Sequence, residues 1–140
     1  MFRFALHALL LGALLSTTAC GNNNASTPTS PTPTPLPTVT ETFSGSINRN
    51  GAATHTFLAQ ASGTVTATLT TLAPEGTEAI GLSLGTWNGT ACQLVIANTT
   101  AAQGATILGV ASSAGNLCVF VQDVGKIGVA ASYEITVVHP

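Results

Sequence analysis

Thr64-Val65-Thr66-Ala67-Thr68-Leu69-Thr70 decides the fold class. Val65, Ala67 and Leu69 point one way, and four threonines point the other. Successive side chains of an extended strand alternate between two faces, so this is a strand with one buried and one wet face. Threonine and valine also suit a pleated surface. The same period of two recurs on both sides. Ile80, Leu82 and Leu84 alternate with Gly81, Ser83 and Gly85, and Tyr133, Ile135 and Val137 with Glu134, Thr136 and Val138. Phe43 and Ile47 open the pattern, and His55 and Phe57 share a face in the next run.

Turn signals divide these runs at short intervals. Asn48-Arg49-Asn50-Gly51 separates the first two, Ser62-Gly63 closes the second, and Pro74-Glu75-Gly76 closes the third. Trp87-Asn88-Gly89-Thr90 is the strongest of them. Asn-Gly between alternating strands predicts a type I′ hairpin, joining a strand that ends near Thr86 to one over Ala91–Ala97. Asn98–Gly104 reads as a loop before a short strand, Ala105–Ala111. Ser112–Asn116 reads as another, before Leu117–Gln122. Asp123–Gly128 leads into the last strand. The tally is about eight short strands and no amphipathic helix, which predicts an all-β, antiparallel, jelly-roll-like β-sandwich.

Residues 39–140 carry this pattern and suffice for one domain with a modest core. The preceding segment differs. Gly21–Pro37 is built almost wholly of Asn, Ser, Thr and Pro, with no charge. Such a segment cannot bury enough apolar surface to offset the entropy of folding. Pro31, Pro33, Pro35 and Pro37 favour an extended tether, roughly 50 Å long at ~3.1 Å per residue. We assign residues 20–38 to this tether.

Residues 1–19 have Arg3, an apolar run over Phe4–Leu15, and Ser16-Thr17-Thr18-Ala19. The run falls short of the ~20 residues of a spanning helix. A charged start, an apolar middle and a small residue before the cut are the marks of a removable signal. With Cys20 after Ala19 and Gly21-Asn22-Asn23-Asn24 beyond, the layout resembles a bacterial lipoprotein signal ending in a lipobox. Thr17 stands where that pattern usually has Leu. The resemblance implies that Cys20 becomes the lipidated N-terminus and attaches the protein to a membrane of the bacterial cell envelope. Gly21 in place of Asp implies the outer membrane where the host has one, with the domain extracytoplasmic. Several acyl chains give firm attachment, because each buried CH₂ contributes ~0.8 kcal/mol.

The folded part also resembles a known family, the bacterial pre-peptidase C-terminal domain. Phe43-Ser44-Gly45-Ser46-Ile47 matches its opening F-x-G-x-I. His55-Thr56-Phe57 matches its aromatic pair, with His55 where Tyr is usual. Gly63–Leu69, Leu82-Ser83-Leu84, Ala114-Gly115 through Val121, and Tyr133–Val137 follow in the family's order. The resemblance implies a β-sandwich with an accessory, non-catalytic role.

Charge is sparse: three Lys+Arg and five Asp+Glu in 140 residues, and loss of Arg3 with the signal leaves a net charge of −3. No basic patch exists for nucleic acid. No zinc motif, nucleophile elbow or phosphate loop occurs, so neither a metal nor a cofactor is expected, and the chain is read as non-enzymatic. Glu41, Glu75, Glu78, Asp123 and Glu134 are spread over different turns and strands. His55 reads as a packed ring, and His139 as a frayed terminal residue.

With Cys20 lipidated, Cys92 and Cys118 remain as an even pair in an oxidising compartment, and a disulfide between them is expected. The strand pattern creates a tension. Cys118 shares a face with Phe120, opposite Leu117, Val119 and Val121. Either that face packs under a loop or a bulge shifts the register. Trp87 is the residue singled out for binding, as a flat ring beside an exposed hairpin; its alternative role is to cover the end of the sandwich. The expected function is therefore an envelope-anchored interaction or structural module. Its partners are the membrane, through Cys20, and an envelope polysaccharide, a secreted protein or another copy. The alternative is a carbohydrate-binding module centred on Trp87.

Overall fold

The computed structural model describes residues 37–140, apart from residues 75, 76 and 78. Cys20, the signal and nearly all of the tether lie outside these residues, as do Glu75 and Glu78. Eight strands follow one another: β1 (Val39–Ile47), β2 (Ala52–Ala59), β3 (Gly63–Ala73), β4 (Ile80–Trp87), β5 (Cys92–Ala101), β6 (Thr106–Ala111), β7 (Gly115–Gln122) and β8 (Ala131–His139). They form two antiparallel four-stranded sheets, ordered β1-β8-β3-β6 and β2-β7-β4-β5. This is the strand order of an eight-stranded jelly roll. The fold is the all-β sandwich expected.

The core lies between the sheets and is made by the alternation read above. Val65, Ala67 and Leu69 are buried, as are Ile80, Leu82, Leu84, Tyr133, Ile135 and Val137. In β3 the alternation slips by one residue. A bulge between Leu69 and Thr71 leaves Thr70 unpaired in the β8 register, and Leu72 becomes the next core residue. The Thr70 hydroxyl lies 3.0 Å from the Glu134 carbonyl oxygen and 3.1 Å from Glu134 Oε1. One extra residue thus turns Leu72 inward where strict alternation would have exposed it.

Two local expectations are corrected. The β4–β5 connection is where it was placed, but it is not a two-residue type I′ turn. Such a turn needs positive φ at both central residues. Gly89 has φ 94°, whereas Asn50 is the one non-glycine with positive φ among the described residues, so Asn88 does not qualify. Instead the Asn88 side chain Oδ1 accepts hydrogen bonds from the backbone N–H of Thr90 (2.9 Å) and Ala91 (2.8 Å). An Asx-type turn closes a four-residue loop. Residues 98–101, expected to begin a loop, continue β5 as far as Ala101. The Asn98 side chain bonds Thr100 N at 2.9 Å, and pairing to β4 slips between Ile80 and Leu82.

The two open sides of the sandwich are finished differently. Where β1 faces β2, a column of rings closes the gap. Phe43 stacks on His55 with centroids 5.2 Å apart, and Phe57 packs 4.9 Å from the ring of His139. His139 is not frayed: it is 1% exposed at the end of β8, with Nε2 2.9 Å from Glu41 Oε1. Pairing of Val39 with His139 brings the two ends of the domain together and buries the penultimate residue. Where β5 faces β6, Val95 and Val110 are 72% and 80% exposed, and they line a slot of about 50 Å³ with Val65 and Leu84.

Candidate functional site

His55 of β2 and Tyr133 of β8 form a side-chain polar contact between the sheets. Tyr133 pairs directly with Gly45 of β1. A side chain on Gly45 would collide with the tyrosine hydroxyl and ring. Its absence lets Tyr133 lie across β1 and reach β2, where its hydroxyl is 2.8 Å from His55 Nε2. Burial pushes the His55 imidazole below its ordinary 6.5 and the Tyr133 phenol above its ordinary 10.0. Both are therefore held neutral near pH 7.

This sets a pH dependence. The folded state binds its His55 proton more weakly than the unfolded state does. The contribution is therefore fully present above pH 6.5 and is lost as pH falls from 6.5 through the folded-state value. Urea denaturation as a function of pH should show wild type losing stability relative to His55→Gln below pH 6.5. Parallel pH curves for the two proteins would refute it.

Asp123 serves a loop. Its carboxylate accepts from the backbone N–H of Gly125 and Lys126 at 2.8 and 2.9 Å through Oδ1, and from Asn50 N at 2.8 Å through Oδ2. These bonds, that from Asn50 foremost, lower its pKa below the ordinary 3.8. His55 and Asp123 have separate hydrogen-bond partners among the described residues. Among the described residues, no three of His, Cys, Asp and Glu gather in a metal-ligating group.

Cys92 and Cys118 are joined, as expected from the cysteine count. The structure also resolves the problem of the Cys118 face. Cys118 lies opposite Gly85 of β4, on the face of its sheet turned away from the core, and yet is fully buried. What covers it is β5. Strands that flank a common neighbour are ~9.5 Å apart. The Cα atoms of Cys92 in β5 and Cys118 in β7 are only 5.8 Å apart, although β4 separates the two strands. The β4–β5 register slips between Leu84 and Gly85, leaving Val95 unpaired. Past this bulge the start of β5 folds over β4, so that a Cβ on Gly85 would strike the carbonyl of Gln93. Both alternatives left open by the sequence are partly realised. The bulge is in β5 and not β7, and the cover is a strand and not a loop.

Trp87 ends β4 and pairs with Cys92 at the foot of this crossing. It is half-buried. With Asn88, Gly89, Leu58 and Thr56 of β2, and Asn116 of β7, it lines an open depression of about 650 Å³. That is within the ~300–1,000 Å³ range of small-molecule sites. Leu58 is 46% exposed, and no charged side chain among the described residues lines the depression. Trp87 is thus partly covered at the end of β4 and shares the depression with residues of β2 and β7. Sequence pattern singled out Trp87 but not Leu58 or Asn116, because their proximity depends on β2, β7 and β4 being neighbours. No family model and no curated protein matches the chain.

Proposed function

We propose that this chain is a lipid-anchored, non-catalytic protein of the bacterial cell envelope that displays its jelly-roll domain as an interaction or structural module. The cysteines carry the reading. The chain has three, and the structure pairs Cys92 with Cys118. That leaves Cys20 alone, directly after the small Ala19, a few residues beyond an apolar run, and directly before a charge-free spacer rich in Asn, Thr and Pro. A disulfide supports an oxidising compartment, and a lone exposed thiol is a liability there unless it is modified. The resemblance to the pre-peptidase C-terminal domain belongs to the same proposal. Its motifs fall on β1, β2, β3, β4, β7 and β8, with Phe43–Ile47 in β1 and Tyr133–Val137 in β8.

Replacing Cys20 tests the anchor. In a diderm host, wild type should sediment with membranes after a carbonate wash, and Cys20→Ser should move almost entirely to the soluble fraction. Mass spectrometry of the native N-terminus should give an acylated Cys20. A peptide beginning upstream of Cys20, or an unmodified Cys20 thiol, would remove the proposal.

A second reading, a carbohydrate-binding module, is favoured by one observation: Trp87 shares a depression with two asparagines and with no charged side chain among the described residues. An indole face stacks on sugar C–H groups, and amides hydrogen-bond hydroxyls. Jelly rolls host lectin domains among many other functions, so the fold alone adds only analogy. A glycan array showing no signal, or a signal unchanged in Trp87→Ala, would end this reading.

A further inference from the structure

Trp87 and the disulfide occupy one face, and their positions are linked. Leu58 pairs with Asn116, and Trp87 pairs with Cys92. Cys118 is two residues along β7 from Asn116, and residues two apart on a strand share a face. The bond from Cys92 to Cys118 therefore ties the strand carrying Asn116 to the hairpin carrying Trp87. Gly85 makes the link feasible, since β5 must pass over β4 where a side chain would otherwise stand. Each wall of the depression is thus fixed to the other by a covalent bond beside it.

The lining also specifies a ligand class. The indole offers a flat apolar face and an N–H donor. The Asn116 side chain is exposed and makes no hydrogen bond to another of the described residues. The Asn88 oxygen is occupied by its own turn, which leaves its NH₂ as a donor. Thr56 adds an exposed hydroxyl. The basic residues of the domain, Arg49 and Lys126, follow β1 and β7, at the end of the sheet opposite the β4–β5 hairpin. An anionic polymer would gain no ion pair in the depression, whereas an uncharged polyol would meet stacking and donor groups together.

We propose that this depression binds a neutral glycan through Trp87 and Asn116, and that the Cys92–Cys118 disulfide holds the two at their spacing, so that capture depends on oxidising conditions. The inference rests on the carbohydrate reading above and adds the ligand's neutrality, the second contact and the redox dependence.

Trp87 is the single tryptophan of the chain, so its fluorescence reports on the depression alone. Full-length protein in detergent is titrated with cellohexaose, xylohexaose, chitohexaose and hexagalacturonate. At least one neutral hexasaccharide should give a saturable change, with hexagalacturonate at least tenfold weaker. Asn116→Ala should weaken binding about tenfold without lowering Tm, and Trp87→Ala should abolish it by calorimetry. Saturating sugar should slow reduction of the disulfide by dithiothreitol several-fold in wild type, a readout that needs no destabilised variant. If no neutral sugar binds, this inference and the carbohydrate reading both fall. Binding that survives Asn116→Ala, with reduction unaffected by sugar, overturns the inference and leaves Trp87 stacking in place. Preference for hexagalacturonate overturns the neutral assignment.

Discussion

Replacing Cys92 and Cys118 together with alanine should lower the unfolding free energy by about 3–4 kcal/mol. The bond closes a loop with a sequence separation of 26 residues. Cross-linking a loop of that length removes unfolded-state entropy worth about 3.5 kcal/mol in the chain-entropy model. The consequence is large because a domain of this size has only ~5–15 kcal/mol of stability in total. The core combines large aliphatic side chains such as Leu69, Ile80, Leu82 and Ile135 with two buried aromatic residues, Phe57 and Tyr133, and small residues such as Ala59, Ala67, Ala101 and Ala131. The native state loses something as well, since Cys118 is fully buried beneath the start of β5 and truncation leaves space there. Urea denaturation of the double variant against oxidised wild type measures the effect. A change below about 1 kcal/mol would show that the loop-closure argument fails here.

Gly85→Val should cost about 3 kcal/mol, at the upper end of what overpacking usually exacts. A Cβ at this position would meet the Gln93 carbonyl oxygen and carbon, and would lie 3.0 Å from Leu94 Cα. These are backbone atoms, and the disulfide prevents β5 from lifting away. Gly109→Ala is the contrasting case. Its Cβ would sit 3.5 Å from Leu84 Cδ1 and 3.6 Å from Ile96 Cδ1, which are ordinary contacts beside the small slot between β5 and β6. With backbone entropy reduced and no collision, Gly109→Ala should be neutral or stabilising by up to about 1 kcal/mol. The two substitutions add bulk to strand glycines of the same domain, and their effects should have opposite signs or differ by at least 2 kcal/mol. Equal costs would mean that β5 does not cross over Gly85 in solution. A double-mutant cycle sharpens the test. In the background lacking the disulfide, β5 is free to move, and the cost of Gly85→Val should shrink.

The candidate site was partly legible. Trp87 beside an Asn-Gly turn is visible in a linear reading, as is the parity of the cysteines. Asn88 shows the limit of such a reading. Asn-Gly correctly marked the hairpin, but its side chain closes the turn by accepting two backbone hydrogen bonds. Local sequence permits both geometries, and β-strand pairing selects one. His139 shows the limit differently. Its place near the end of the chain suggested fraying, but pairing of β8 with β1 buries it against Phe57 and beside Glu41.

The alternation over Thr64–Thr70, repeated along about eight runs divided by turn signals, determined the fold class, because facing inward or outward is decided residue by residue along an extended chain. The three cysteines likewise determined which two would pair if Cys20 is set aside. Which strands are neighbours is a different kind of fact. It follows from how two sheets can bury their apolar faces against each other, and depends on every strand at once. Only that arrangement placed Leu58 and Asn116 beside Trp87, folded β5 across Gly85, and turned a cysteine on the outer face of a sheet into a fully buried one.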